Sequence, residues 1–260
     1  MKHNILIPFF FLLFILQACT TDSDDATNNQ ETSVNKAANK KATGSASNDI
    51  LSDDTYKSMV IELVYVDGFA PTQAAQDNFV SFLEARTHKP NGITIEKRAI
   101  NSPEDDRLTI EEIVAIEDAN RTKYNTNDTI AIWAFFTDGE SDSNSEDSVV
   151  LGTAYRNTSF VIFEESIHDL SNSPFEPNRN LLEATVINHE FGHILGLTNL
   201  GATPQSDHED PDHEKHCNVE SCLMYWAVES AAGIANMIGS NSIPQLDDQC
   251  IADLRANGGK

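Results

Sequence analysis

The run His189-Glu190-Phe191-Gly192-His193 constrains this chain more than any other feature. Around it, Leu181, Leu182, Val186, Ile187, Phe191, Ile194 and Leu195 cover several sides of a helix expected over residues 180–195. Such a helix must be buried, and a buried helix carrying two imidazoles and a carboxylate needs partners for them. At a spacing of four, the histidines share one face about 6 Å apart along the axis, within reach of a single metal ion. Imidazole suits Zn²⁺, and catalytic zinc keeps three protein ligands and one open position. Glu190, beside the first ligand, is then placed to act as general base toward a zinc-activated water. The spacing therefore predicts a hydrolytic metal site on a central, buried helix.

Ahead of that helix, strand and helix patterns alternate. Residues 58–66 read as a buried strand, and Pro71 opens a helix running to residue 86. Asn91-Gly92 turns into a strand over 93–99, and Thr109 with Glu112 makes a capping-box pattern for a helix ending near Tyr124. Residues 129–137 form a strongly apolar strand, 138–148 an acidic loop, and 149–155 and 159–163 two further strands. Short helices are expected over 227–237 and 247–256. This order predicts an α/β layered domain, a mixed sheet with helices and the His189–His193 helix packed on it.

The two ends differ from this domain. Residues 5–16 are apolar but too few to span a bilayer comfortably, so residues 1–18 read as a signal peptide. The run ends in Leu16-Gln17-Ala18-Cys19, which resembles the lipobox of bacterial lipoproteins. That resemblance implies an exported protein lipidated at Cys19 and held at the outer membrane or cell surface of a bacterium. Residues 19–52 are polar, with almost no large apolar side chain, and are expected to form a disordered tether to a domain over 53–260. A net charge of −24 argues against nucleic acid or anionic headgroups as partners, leaving membrane contact to the lipid alone. A monomer is expected.

Gly196 extends the central run to His189-Glu190-x-x-His193-x-x-Gly196, which resembles the metzincin clan of zinc peptidases. In that clan the glycine turns the chain toward a third ligand three residues on. Here that position is Asn199, a poor zinc ligand. Further along, His216-Cys217, then Cys222-Leu223-Met224, resembles the archaemetzincin signature. The resemblance implies a zincin, metzincin-like catalytic domain with one catalytic Zn²⁺ held by His189, His193 and His216, and Met224 packed beneath it. His208 and His213, in the same inserted loop, remain alternatives for the third ligand. The order of elements also suggests that Gly152-Thr153-Ala154 lies on an edge strand that pairs with extended substrate; an ordinary strand with a glycine-marked bulge is the equal alternative.

Four cysteines are present: Cys19, Cys217, Cys222 and Cys250. Archaemetzincins complete a second, structural zinc site with a later pair of cysteines. Only Cys250 stands in that region, so a Cys217–Cys222 disulfide is expected instead, with Cys250 left over or competing for a partner. The function implied is a lipid-anchored, exported zinc endopeptidase acting on protein or peptide substrates. The rival is a surface binding lipoprotein that keeps the fold and performs no hydrolysis, and such a binder has no need of Glu190.

Overall fold

A strand buried on both faces must lie inside a sheet, and residues 130–137 are all buried. In the computed structural model, which describes residues 1, 34–145, 148–229 and 242–260, that strand is the centre of a five-stranded sheet. The sheet comprises β1 (Ser58–Val66), β2 (Ile93–Ile100), β4 (Thr129–Thr137), β6 (Gly152–Arg156) and β7 (Ser159–Phe163), in the order β2-β1-β4-β7-β6. The first four run parallel, and β6 is antiparallel to β7 at one edge. Two-residue strands β3 (Arg107–Leu108) and β5 (Glu140–Ser141) pair separately. The leader, Cys19 and residues 20–33 lie outside the described residues, as does the expected 227–237 helix beyond residue 229.

Period-two alternation divides the core. Ile130, Ile132, Ala134 and Phe136 face the layer of α2 (Gln73–Arg86) and α5 (Arg179–Ile194), packing with Phe79, Leu83 and Phe191. Trp133 and Phe135 face the opposite side with Ile113 of α3 (Ile110–Asn120). The far edge, β2, exposes Glu96 and Lys97, charges that discourage pairing with another chain. Thr109 and Glu112 cap α3 reciprocally. That helix stops at Asn120 and not near Tyr124, because buried Arg121 leaves helical geometry to reach Glu117 at 2.7 Å and the Ala131 carbonyl at 2.8 Å.

The tether expected over 19–52 is folded from Lys36 onward. A 3-10 turn at Lys36–Asn39 and a short helix α1 (Ser47–Leu51) bury Asn39, Ser47, Ile50 and Leu51. The Asn39 amide donates to Asn125 Oδ1 at 2.8 Å, the Ala131 carbonyl at 3.0 Å and Thr158 Oγ1 at 3.1 Å. Buried Lys89 donates to the carbonyls of Asp49, Ser52 and Tyr56. Composition counts apolar area, whereas this segment is held by polar groups that each find a partner. Among the described residues, no helix is long and apolar enough to cross a membrane.

Downstream of α5 the chain forms the hairpin β8 (Glu209–Asp210) and β9 (His213–Cys217), then α6 (Asp248–Ala256). Helix α4 (Glu164–Asp169) sits between β7 and α5. Neither α4 nor the hairpin is expected from the sequence pattern, because both are too short to show a period.

Candidate metal centre

Helix α5 opens at Asn178, whose side chain accepts from the Asn180 N–H at 3.0 Å. It buries every residue from Leu182 to Ile194. Gly196 ends it at φ +88°, and a Cβ there would collide with the Ala202 nitrogen and the Ser47 hydroxyl. The Ser47 hydroxyl donates to the Leu195 carbonyl, so the N-terminal segment also fixes this turn. Asn199 sits past the turn at φ +66° and donates to Glu209 at 2.8 Å.

The inserted loop returns as β9 and brings His216 to the helix. His189, His193 and His216 each offer a ring nitrogen, all within 4.8 Å of one another. Ring centroids lie 4.8 Å apart for His189 and His193, 5.3 Å for His189 and His216, and 5.1 Å for His193 and His216. His208 and His213 go elsewhere. His208 is buried against Asp253 and Cys217, while His213 stacks on Trp226 at 4.0 Å and bonds Asp210 at 3.0 Å.

Backbone carbonyls set the orientation of the rings. His189 Nδ1 lies 2.7 Å from the Leu223 carbonyl, His193 Nδ1 3.4 Å from Leu197, and His216 Nδ1 3.1 Å from Glu214. A carbonyl only accepts, so each Nδ1 carries the proton and each Nε2 presents a lone pair. His189 Nε2 and His193 Nε2 are 3.2 Å apart. Two lone pairs at that distance call for an electron-pair acceptor between them. Tetrahedral zinc with Zn–N near 2.0–2.1 Å separates two such nitrogens by about 3.3 Å, so the residues fit the ion.

The surroundings complete the site. Met224 is fully buried, and its sulfur packs against Gly192, in space that a Cβ would fill. Glu190 is 1% exposed and lies under edge strand β6, where a Cβ on Gly152 would stand 2.7 Å from Glu190 Cγ. Gly152, Thr153 and Ala154 line a cavity of about 210 Å³ together with Glu190, His193 and His216. Thr43, Leu200 and Lys215 close the same cavity, and the sequence reading misses all three. Thr43 had no signal within a polar run; its hydroxyl donates to the Ala154 carbonyl at 3.2 Å.

A second buried polar group anchors the start of α5. Glu183 faces Glu164 of α4, and Thr72 donates to Glu183 from its N–H at 2.8 Å and its hydroxyl at 2.5 Å. Burial pushes the Glu164 carboxyl up to about 7; burial and the neighbouring Glu164 carboxylate push Glu183 up to about 7 as well. His168 and Arg179 flank the pair. These carboxyls hold α4, α5 and the cap of α2 together.

The expected Cys217–Cys222 disulfide is not formed. Cys217, Cys222 and Cys250 are all free and fully buried. Cys217 and Cys250 lie 3.5 Å and 4.0 Å from His208 Nδ1, a contact that the distance of 42 residues between His208 and Cys250 hides in the sequence.

No protein-family model matches this chain, and no curated protein sequence does. Among solved structures it is similar to archaemetzincin from Methanopyrus kandleri, with a TM-score of 0.52 and 16% identity. The match covers 77% of this chain and 96% of that one. At this identity the likeness concerns the fold, a mixed α/β domain with a parallel-rich sheet flanked by helices.

Proposed function

We propose that this chain is a zinc-dependent peptidase, exported and lipid-anchored through Cys19, that cleaves protein or peptide substrates internally. The observation that carries the reading is the convergence of three imidazoles whose Nδ1 atoms all face backbone carbonyls. The archaemetzincin-like fold supports it.

His189, His193 and His216 would hold the ion. Zinc, when bound, supplies Lewis acidity toward a peptide carbonyl and makes water a better nucleophile near neutral pH. Glu190 takes the proton from the attacking water and delivers it to the leaving amine, and its burial beneath Gly152 fixes the carboxylate for that transfer. The edge of β6 binds an extended peptide by main-chain hydrogen bonds beside the metal. Leu223 and Leu197 keep the first two imidazoles in the ligating tautomer.

The test is cleavage of an unfolded protein by the purified chain, followed by mass spectrometry. Cleavage that a chelator abolishes and zinc restores supports the reading. Tight substrate binding with intact zinc and no cleavage points to the non-catalytic binding lipoprotein.

A further inference from the structure

Two cavities share His216 as a wall, and the two residues before it divide between them. Glu214 lines a cavity of about 300 Å³ with Val149, Val150 and Trp226. Lys215 lines the cavity of about 210 Å³ that also holds Glu190, His193 and the β6 edge from Gly152 to Ala154. Among the described residues, Lys215 is the only lysine or arginine on the wall of either cavity.

The backbone builds this division. Successive side chains of a regular strand point to opposite faces, so Lys215 and His216 of β9 would diverge. They line one cavity instead, and Lys215 sits at φ +71°, the left-handed region that residues other than glycine seldom adopt. Its neighbours hold it there. The Lys215 N–H donates to Glu209 Oε1 at 2.7 Å, while Asn199 from the turn after α5 donates to the other oxygen of that carboxylate at 2.8 Å. The Lys215 carbonyl accepts from the Thr198 N–H at 3.5 Å. Such a conformation persists only where the surrounding structure over-determines it. On another wall, Thr43 is tied to the Ala154 carbonyl through its hydroxyl at 3.2 Å, so a side chain entering here meets fixed surfaces.

The charge on Lys215 has no carboxylate to answer it. The chain holds 41 acidic residues against 17 lysines and arginines. Lys40 pairs with Asp118, Lys123 with Glu96 and Arg98 with Glu62. Among the described residues, no carboxylate pairs with the Lys215 ammonium. Glu190, in the same cavity, is the base of the proposed reaction. The acidity of the remaining surface is screened beyond about 8 Å at physiological ionic strength, so the nearby ammonium decides which side chain is favoured at contact.

We propose that Lys215 makes this chain select substrates with an aspartate or glutamate next to the scissile bond, the side-chain carboxylate pairing with Lys215 between the β6 edge and β9. The proposal rests on the zinc-peptidase reading above. The selected residue adjoins the scissile bond because the same cavity holds the base and two of the metal-binding imidazoles.

The test uses peptides blocked at both ends, so that no terminal charge competes, with each position in turn set to Glu, Asp, Gln or Lys. The zinc-loaded chain is expected to cleave at a fixed offset from Glu or Asp, about 5- to 10-fold faster than from Gln. Lys215→Gln should remove that preference, and Lys215→Glu should turn it toward Lys. Glu214→Gln, on the other cavity, and Lys97→Gln, an equal charge change on the exposed β2 edge, should both keep it. Binding of the same peptides to zinc-loaded Glu190→Gln, read by fluorescence anisotropy, should follow the same order without turnover. Equal rates for Glu and Gln at every offset, or an acidic preference that survives Lys215→Glu, overturns the proposal and leaves the peptidase reading standing. If nothing is cleaved, that reading falls, and the anisotropy order alone supports or overturns the role of Lys215.

Discussion

Gly152 packs tightly on Glu190 in the cavity beside His193 and His216, and Gly152→Ala probes that contact directly. The added Cβ would meet Glu190 Cγ at 2.7 Å and its Cδ and Oε1 at 3.0 Å. Two carbons rest at about 3.5 Å or more, so strand or carboxylate must give by roughly 0.8 Å. Misplacing a catalytic group by about 1 Å costs on the order of 100-fold, and overpacking a tight site costs about 1–3 kcal/mol of stability. The expected outcome is a loss of kcat of roughly 30- to 100-fold with zinc content unchanged, since the three atoms nearest to that Cβ all belong to Glu190. Peptide cleavage kinetics, metal analysis and a thermal melt on one preparation measure all three. Unchanged kcat in a folded, zinc-loaded Gly152→Ala protein refutes the placement of Glu190 beneath β6 during turnover.

Three further outcomes follow from the geometry. His216→Ala should remove zinc from the three-histidine centre while His213→Ala retains it, as metal analysis of the two purified variants reads. Glu183 and Glu164 have carboxyls raised from 4.5 to about 7, so their stabilising protonation is complete below pH 4.5 and is lost as pH rises to about 7. At 1.36 kcal/mol per pH unit the loss is about 3 kcal/mol for each carboxyl, and Glu183→Gln should make denaturation midpoints less dependent on pH between pH 5 and pH 8. Asn39→Ala strands the buried Asn125 N–H, which donates to Asn39 Oδ1 at 3.0 Å, and should destabilise the domain by about 1–3 kcal/mol in urea titration.

How far the sequence can be read depends on which force holds each part. Strand β4 and helix α5 are legible because burial on several sides leaves a long apolar period. The cap at Thr109 is legible because its partner is only three residues away. The segment 36–51 is not, since its order comes from Asn39, Ser47 and Lys89 finding acceptors far along the chain. The same reason hides the thiol cluster: His208 meets Asp253 across 45 residues, and neighbouring cysteines suggest a disulfide when counted alone. Within the candidate site, the helix spacing marks His189, Glu190 and His193, while only the hairpin β8–β9 distinguishes His216 from His208 and His213.

Glu190→Gln tests the mechanism most directly. The amide keeps the shape of the side chain beneath Gly152 but cannot take a proton from water. General-base catalysis contributes typically about 10²- to 10⁴-fold. With zinc content equal to that of the unsubstituted protein, cleavage by Glu190→Gln should fall by at least about 100-fold. Full cleavage by the zinc-loaded variant would contradict the assignment of Glu190 as the base.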